Sequence, residues 1–421
     1  MLKRPIFALF ALLAACSSAA PPSVAPAPGA AATAAPAAPL VPAAAPAPSA
    51  AQTAAARPAN GAAEPEPLPG KPPDVPFGEL FERLNEKGGY YFSHNYVTNE
   101  TSYLQVAKAL SERVPPGRAY IGVGPEQNFT YIGLTRPSVA FVVDIRRANA
   151  LLLLLYKAIF EEAKSRTHFL TLLLSRPYDS VNDPGERATI DEVIAAVEKS
   201  PPDKVLRDEN RKRFLDRIQH DYKVALKESD LTEIRETQQA FFSEQFEIAF
   251  TVDMPNSRKR ASFRTTLKMP DPHGKQQSFL AREDLFRYVQ RMQRENRILP
   301  VVGDFSGGHA FREIAAYLKQ HGIVVGALYA SNVEEYLLDE RTFRKWADNV
   351  AELPTDGESL FVRAFLQRKH HVHKAQQPGH RVATFAQPIA PFLARQKDGG
   401  YKNWVQVAYD PPPLYEAAEA H

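Results

Sequence analysis

The sequence predicts an α/β domain: a mostly parallel sheet with helices on both faces, interrupted by a largely helical insertion. Three observations carry this. Apolar runs of strand length alternate with stretches of helical spacing on both sides of the insertion. The runs are continuously apolar rather than alternating, as strands buried on both faces are. They end in Gly, Asp, Ser or Asn, residues that suit the rim where such sheets bind ligands.

The N-terminus comes first in order. Residues 1–15 carry Lys3 and Arg4, then the apolar run IFALFALLAA, then Cys16. Leu13-Ala14-Ala15-Cys16 resembles the lipobox of bacterial lipoprotein signals. The resemblance implies cleavage before Cys16, acylation of that cysteine and a lipid bilayer as partner. Ser17 stands where a retention signal has Asp, which implies outer-membrane anchoring in the bacterial envelope. Cys16 is the sole cysteine, so the domain must hold together without disulfides. Residues 16–73 are almost wholly Ala and Pro, too poor in apolar periodicity to offset their ordering entropy, and read as an extended tether. Residues 74–421 form the folded part. A formal charge of +3 gives no strong basic face, so no nucleic acid is expected as a partner. No apolar run after residue 16 reaches membrane-spanning length.

Within the folded part, residues 77–86 and 98–114 have helical spacing, and Pro115, Pro116 and Gly117 close the second helix. A strand near Tyr120 meets Gly122 and Gly124. A brief helix follows, then a strand ending at Asp144, then a long helix over 146–164. Residues 167–297 break the alternation with charge-rich helical pieces at 202–228, 230–248 and 281–296 and a turn-rich basic stretch at 250–275. This insertion reads as a cap over the rim where ligands enter, or as a separate small domain. Alternation resumes with a strand over 298–305, a helix over 308–320 and a strand over 323–329 ending at Ser331-Asn332. A helical stretch (333–352) and a strand (359–366) follow. Residues 381–394 and 403–409 are expected to add a closing pair of strands.

The candidate site lies at the carboxyl ends of these strands. Gly122 and Gly124 let a ligand approach the backbone, and Asp144, about twenty residues on, is placed to accept two ribose hydroxyls. Glu126, Asn128, Asp304 and Ser331-Asn332 gather at the same rim. Each has a structural alternative. Asp144 could cap the next helix and pair with Arg146 or Arg147, and Asp304 could be an N-cap. Asn99 and Glu100 could form a capping arrangement, and Asn332 and Glu334 could orient a substrate. His370, His371, His373 and His380 sit among Lys, Arg and Gln. A solvated basic loop is the expectation there, with no metal.

Gly122, Gly124, Asp144, Gly303-Asp304 and Ser331-Asn332 together resemble the class I S-adenosylmethionine-dependent methyltransferase fold over residues 90–165 and 297–410. There the first strand ends in a glycine loop and the second in a ribose-binding acid. The third carries an acid near the adenine, and the fourth carries polar residues facing the substrate. The resemblance implies S-adenosylmethionine between the Gly122 loop, Asp144 and Asp304, with Glu126 and Asn128 beside it. Glu126 and Asn332 become the candidates to orient an acceptor. Pro125 and Glu126 depart from the small residues usual in that loop, and no Asn-Pro-Pro-Tyr tetrapeptide is present. The function implied is a lipid-anchored, methyltransferase-like envelope protein. The alternative is a non-catalytic lipoprotein that binds a small ligand or a partner with the same fold.

Overall fold

The computed structural model describes residues 67–252, 260–337, 339–367 and 372–414. Cys16, the signal segment and the tether as far as residue 66 lie outside the described residues, as do His370 and His371. Six strands form the main sheet: β1 (Ala119–Gly122), β2 (Val139–Asp144), β3 (Ile298–Val302), β4 (Val325–Ser331), β5 (Leu360–Leu366) and β6 (Val382–Pro388). Their spatial order is β3-β2-β1-β4-β5-β6. The first five are parallel, and β6 runs antiparallel to β5. The chain moves outward from β1 in one direction and then crosses back to β4, so the topological switch point lies between β1 and β4. This is the Rossmann-like α/β architecture that the sequence predicts.

Two groups of helices cover the sheet. Ahead of β1 lie α1 (Phe77–Leu84) and α2 (Ala107–Arg113), and after it come α3 (Gln127–Thr135) and α4 (Arg147–Glu162) on the outward crossovers. On the return, α11 (Ala310–Gln320) and α12 (Glu340–Glu352) make the crossovers, and α1 packs on α11 and β3. Right-handed crossovers place the outward and return sets on opposite faces. Helix α4 is buried along every position from Asn149 to Phe160. A helix apolar all round needs cover on its outer side as well as from the sheet.

That requirement explains the insertion. Its helices are α5 (Arg166–Leu174), α6 (Ile190–Glu198), α7 (Lys204–Asp216), α8 (Glu228–Glu244), α9 (Phe263–Lys268) and α10 (Glu283–Arg294). Of these, α5, α7, α8 and α10 pack directly on α4. The insertion is therefore a second layer behind α4, where the sequence suggested a cap over the ligand rim. It also reaches that rim: Thr251–Val252 pair antiparallel with Ser93–His94, Arg147 Nε and Nη2 donate to Asp230 (2.8 Å each), Tyr103 Oη donates to the Thr266 carbonyl (3.2 Å), and the Phe279 N–H donates to Thr130 Oγ1 (3.1 Å).

Two further differences concern the ends. Residues 403–409 form a helix, α14 (Trp404–Tyr409), not a closing strand, because Asn403 caps it by accepting from the Gln406 N–H at 3.0 Å. Strand β6 likewise gives way at Pro388 to α13 (Ile389–Lys397). At the other end, packing begins ahead of residue 74. Leu68 is buried, and Arg297 donates to the carbonyls of Pro69 (2.7 Å), Gly70 (3.2 Å) and Ser138 (3.3 Å). Among the described residues, no helix is long and apolar enough to cross a membrane.

Candidate functional site at the carboxyl rim

A single stretch of chain, residues 85–100, crosses the carboxyl rim of the sheet. At β3, the Glu86 N–H donates to Val302 O (3.0 Å), while Glu86 Oε1 accepts from the Asp304 N–H (2.7 Å). At β2, the Gly89 N–H donates to Ile145 O (2.7 Å), and Ser93 O accepts from Arg146 Nη1 (3.0 Å). At β1, the Thr98 N–H donates to both carboxylate oxygens of Glu126, 3.1 Å from each. At β4, Glu100 Oε1 accepts from Tyr329 Oη (2.8 Å) and from Ser331 Oγ. The strap thus visits β3, β2, β1 and β4 in their spatial order. Packing is close at its start, where a Cβ at Gly89 would stand 2.7 Å from Ile145 Cδ1 and that side chain would have to shift.

The glycine loop after β1 is closed on itself. Asn128 Nδ2 donates to the carbonyls of Val123 (3.0 Å), Gly124 (3.2 Å) and Pro125 (2.7 Å), and its Oδ1 accepts from Tyr120 Oη (2.8 Å). Asn149 adds a further donor to Gly124 O at 3.1 Å. Gly122 is glycine because the Asn128 side chain fills the volume that a Cβ would take. Gly124 has a positive φ of 82° with nothing within 4 Å of the place its Cβ would occupy. It is the one point of the loop where a backbone turn needs glycine and leaves room beside it.

Asp144 and Asp304 hold their own turns. Asp144 Oδ1 accepts from the Arg146 N–H (2.8 Å), and the Arg146 guanidinium pairs with the same carboxylate at 3.4 Å. Asp304 Oδ1 accepts from the N–H (2.8 Å) and hydroxyl (3.0 Å) of Ser306. Neither acid is a helix N-cap, since α4 and α11 begin after Arg146 and His309 with no side-chain cap bond, but the expected pairing of Asp144 with Arg146 is present. Asn332 donates to Glu335 at 3.3 Å, and Ser331 before it adopts a left-handed φ of 51°, which aims its hydroxyl at Glu100. Glu334 is committed elsewhere: with both oxygens it binds Arg363 of β5 (2.6 and 2.8 Å), and it accepts from Trp346 Nε1 (2.9 Å).

The electrostatics single out two acids. Glu100 is 4 % exposed and Glu126 3 % exposed, and among the described residues no cation pairs with either. Burial raises the Glu100 carboxyl above the usual range, against the opposing hydrogen bonds of Ser331 and Tyr329, and its Oε2 has no hydrogen-bond partner. Burial pushes the Glu126 carboxyl up to about 7. The phenols of Tyr120, Tyr131 and Tyr329 rise well above 10, first by burial and then by the nearby Glu100 charge, and remain proton donors. Acids shifted by desolvation at a switch point are groups suited to proton transfer or to gripping a ligand. Beside Glu126, with Thr98, Thr130 and Ser278 around it, lies a cavity of about 10 Å³, room for roughly one water.

The structure therefore brings Gly122, Gly124, Glu126, Asn128, Asp144, Asp304 and Asn332 to one rim, beneath or beside the strap. Thr98, Gln127 and Tyr329 belong to the same cluster and carry no sequence signal of their own. Gln127 accepts from the Thr98 hydroxyl and faces Glu100. His373 is not in a solvated loop. It is buried, stacks on Phe385 at 4.2 Å and packs at a tilt against Phe365 (5.5 Å) and Tyr409 (4.7 Å), and burial lowers its pKa. Among the described residues, no three metal-ligating side chains converge.

Comparison with known proteins gives a family and little else. No curated protein matches the sequence. Among solved structures, the rRNA methyltransferase aviRa from Streptomyces viridochromogenes is similar at 11 % identity and a TM-score of 0.28, over 78 % of this chain and 97 % of that one. One family model matches residues 95–183 and 188–411, a span that includes the Thr98–Glu126 contact, Glu100, Asp144, Asp304 and the end of β4. The chain belongs to the family described as a domain of unknown function, DUF7790.

Proposed function

We propose that this domain binds S-adenosylmethionine at the carboxyl rim between β3 and β4 and transfers its methyl group, from a lipid-anchored position in the bacterial envelope. The observation that carries the reading is the convergence at the rim of the Gly124 turn, the β2-end acid Asp144 and two buried acids, Glu100 and Glu126, with which no cation among the described residues pairs. Asp144 would hold the ribose, and the Gly122–Gly124 turn would lie against the amino-acid portion. In the transfer, the S–CH3 bond breaks, a bond from methyl to the acceptor forms, and the sulfonium becomes a thioether. A neutral nitrogen or oxygen acceptor also loses a proton, for which a carboxylate at the β4 end is a suitable recipient. The protein's main contribution would be to align donor and acceptor.

One observation favours a second reading, a non-catalytic ligand-binding lipoprotein. Asn128 and Asn149 already occupy the loop carbonyls, and Arg146 already engages Asp144.

Calorimetric titration of S-adenosylmethionine and S-adenosylhomocysteine into the full-length chain tests the first reading, with Asp144→Ala as control. Micromolar binding lost in the variant is the expected result. A folded protein that binds neither compound retires methyl transfer in favour of the second reading. Globomycin sensitivity with cell fractionation tests the anchor, and unprocessed, wholly cytoplasmic protein would exclude it.

A further inference from the structure

We infer that residues 85–98 are a displaceable strap that stands in the ligand's place, so the domain is self-occluded until the strap leaves the rim. The inference deepens the proposed function and rests on its reading of the rim as a ligand site, while the first test below needs no ligand. The strap's contacts fall where a ligand's would. Glu86 Oε1 takes the Asp304 N–H at the end of β3, and Gly89 takes the Ile145 carbonyl just past Asp144. The Thr98 N–H takes the Glu126 carboxylate, and no cation among the described residues pairs with that group. Apart from the Ser93–His94 pairing with Thr251–Val252, the strap is irregular chain. At its outer side Tyr91 meets Tyr336 edge-on at 5.5 Å, and Tyr90 is 81 % exposed. Ser93, Val97 and Thr98 are buried, so the strap is held by a few side-chain and single backbone contacts rather than by a ladder, and such a segment can open without the sheet. Ligand binding at the rim must then displace it, so the observed affinity is the intrinsic affinity reduced by the fraction of molecules with the strap open.

Amide hydrogen exchange on the full-length chain, followed residue by residue, reads the strap without any ligand. The Gly89 and Thr98 amides are expected to exchange at least about 100-fold faster than that of Val142 in β2 and to share one opening rate. Glu126→Ala should speed both together by about tenfold. Should that variant fail to fold, Glu86→Ala serves the same purpose from the strap's other end. Strap amides as slow as Val142, or Thr98 released while Gly89 stays protected, would overturn the inference.

The second test titrates S-adenosylhomocysteine into wild type and Glu86→Ala. The loosened strap should bind about tenfold tighter. Equal affinities overturn the competition. Binding by neither form, with the strap opening as above, removes the methyl-donor reading and leaves the strap standing.

Discussion

The Thr98 backbone N–H points between the two carboxylate oxygens of Glu126, 3.1 Å from each, and so fastens the strap to the start of α3. Both residues are buried, and Glu126 draws on no cation among the described residues. The contact therefore depends on the protonation state of one acid.

Glu126 makes stability fall with rising pH. Its carboxyl titrates at about 7 in the fold against 4.5 ordinarily, so the native state holds this proton more tightly than the unfolded chain does. The contribution is complete below pH 4.5, is lost as pH rises through about 7, and is level above that. The loss amounts to roughly 3 kcal/mol. Urea unfolding at pH 5 and pH 8 should show that the Glu126→Gln protein lacks this part of the decline. An identical decline in wild type and variant would count against the assignment.

Gly122 and Gly124 should respond differently to alanine. At Gly122 the methyl would collide with Asn128 and with the Tyr120 phenol, so the loop staple has to break. At Gly124 there is space, and only the positive φ resists. Gly124→Ala is expected to cost about 1–2 kcal/mol and Gly122→Ala about 3 kcal/mol or more. Thermal melts of the two variants would order them, and a milder Gly122→Ala would refute the staple.

Asn128 tests the same staple through its charge. Its amide donates to three carbonyls. Asn128→Asp keeps the shape but turns a carboxylate toward those carbonyls, and it should destabilise more than Asn128→Ala, by about 3 kcal/mol or more in total. Denaturant midpoints for the pair decide this, and the reverse ranking would be inconsistent with the bonding described.

Arg363 and Glu334 form a fully buried pair that ties the end of β4 to β5, with the guanidinium 3.8 Å from the Phe361 ring centroid. Arg363→Met leaves a buried charge unpaired and should cost about 3–5 kcal/mol. Adding Glu334→Leu should recover a good part of that. The double variant tracks the single one in urea only if the pair lacks the coupling inferred from its geometry.

Much of the fold was legible because burial writes directly into sequence. VAFVV and ILPVV are apolar throughout because helices cover both faces of their sheet. The all-apolar LLLLLY of α4 signalled a helix, but not that an insertion was needed to cover its back. The rim residues were legible as positions, since Gly122, Asp144 and Ser331 each end a strand and Asp304 follows one. Their partners were not. That Asn128 fills the space beside Gly122 depends on the path of a turn, and that residues 85–100 cross four strand ends depends on contacts up to about two hundred and thirty residues apart. The helix at 403–409 hinged on one cap, Asn403, within a stretch whose composition suits a strand equally well.

Arg297 bears on how load would pass along this chain. Its guanidinium grips the Pro69 and Gly70 carbonyls at the amino ends of the strands, across the sheet from the strap. A pull applied ahead of Leu68 would meet these two hydrogen bonds before it reached α1 and Glu86. Tension from the N-terminal side would therefore be felt first beside β3, at the opposite end of the strands from the strap.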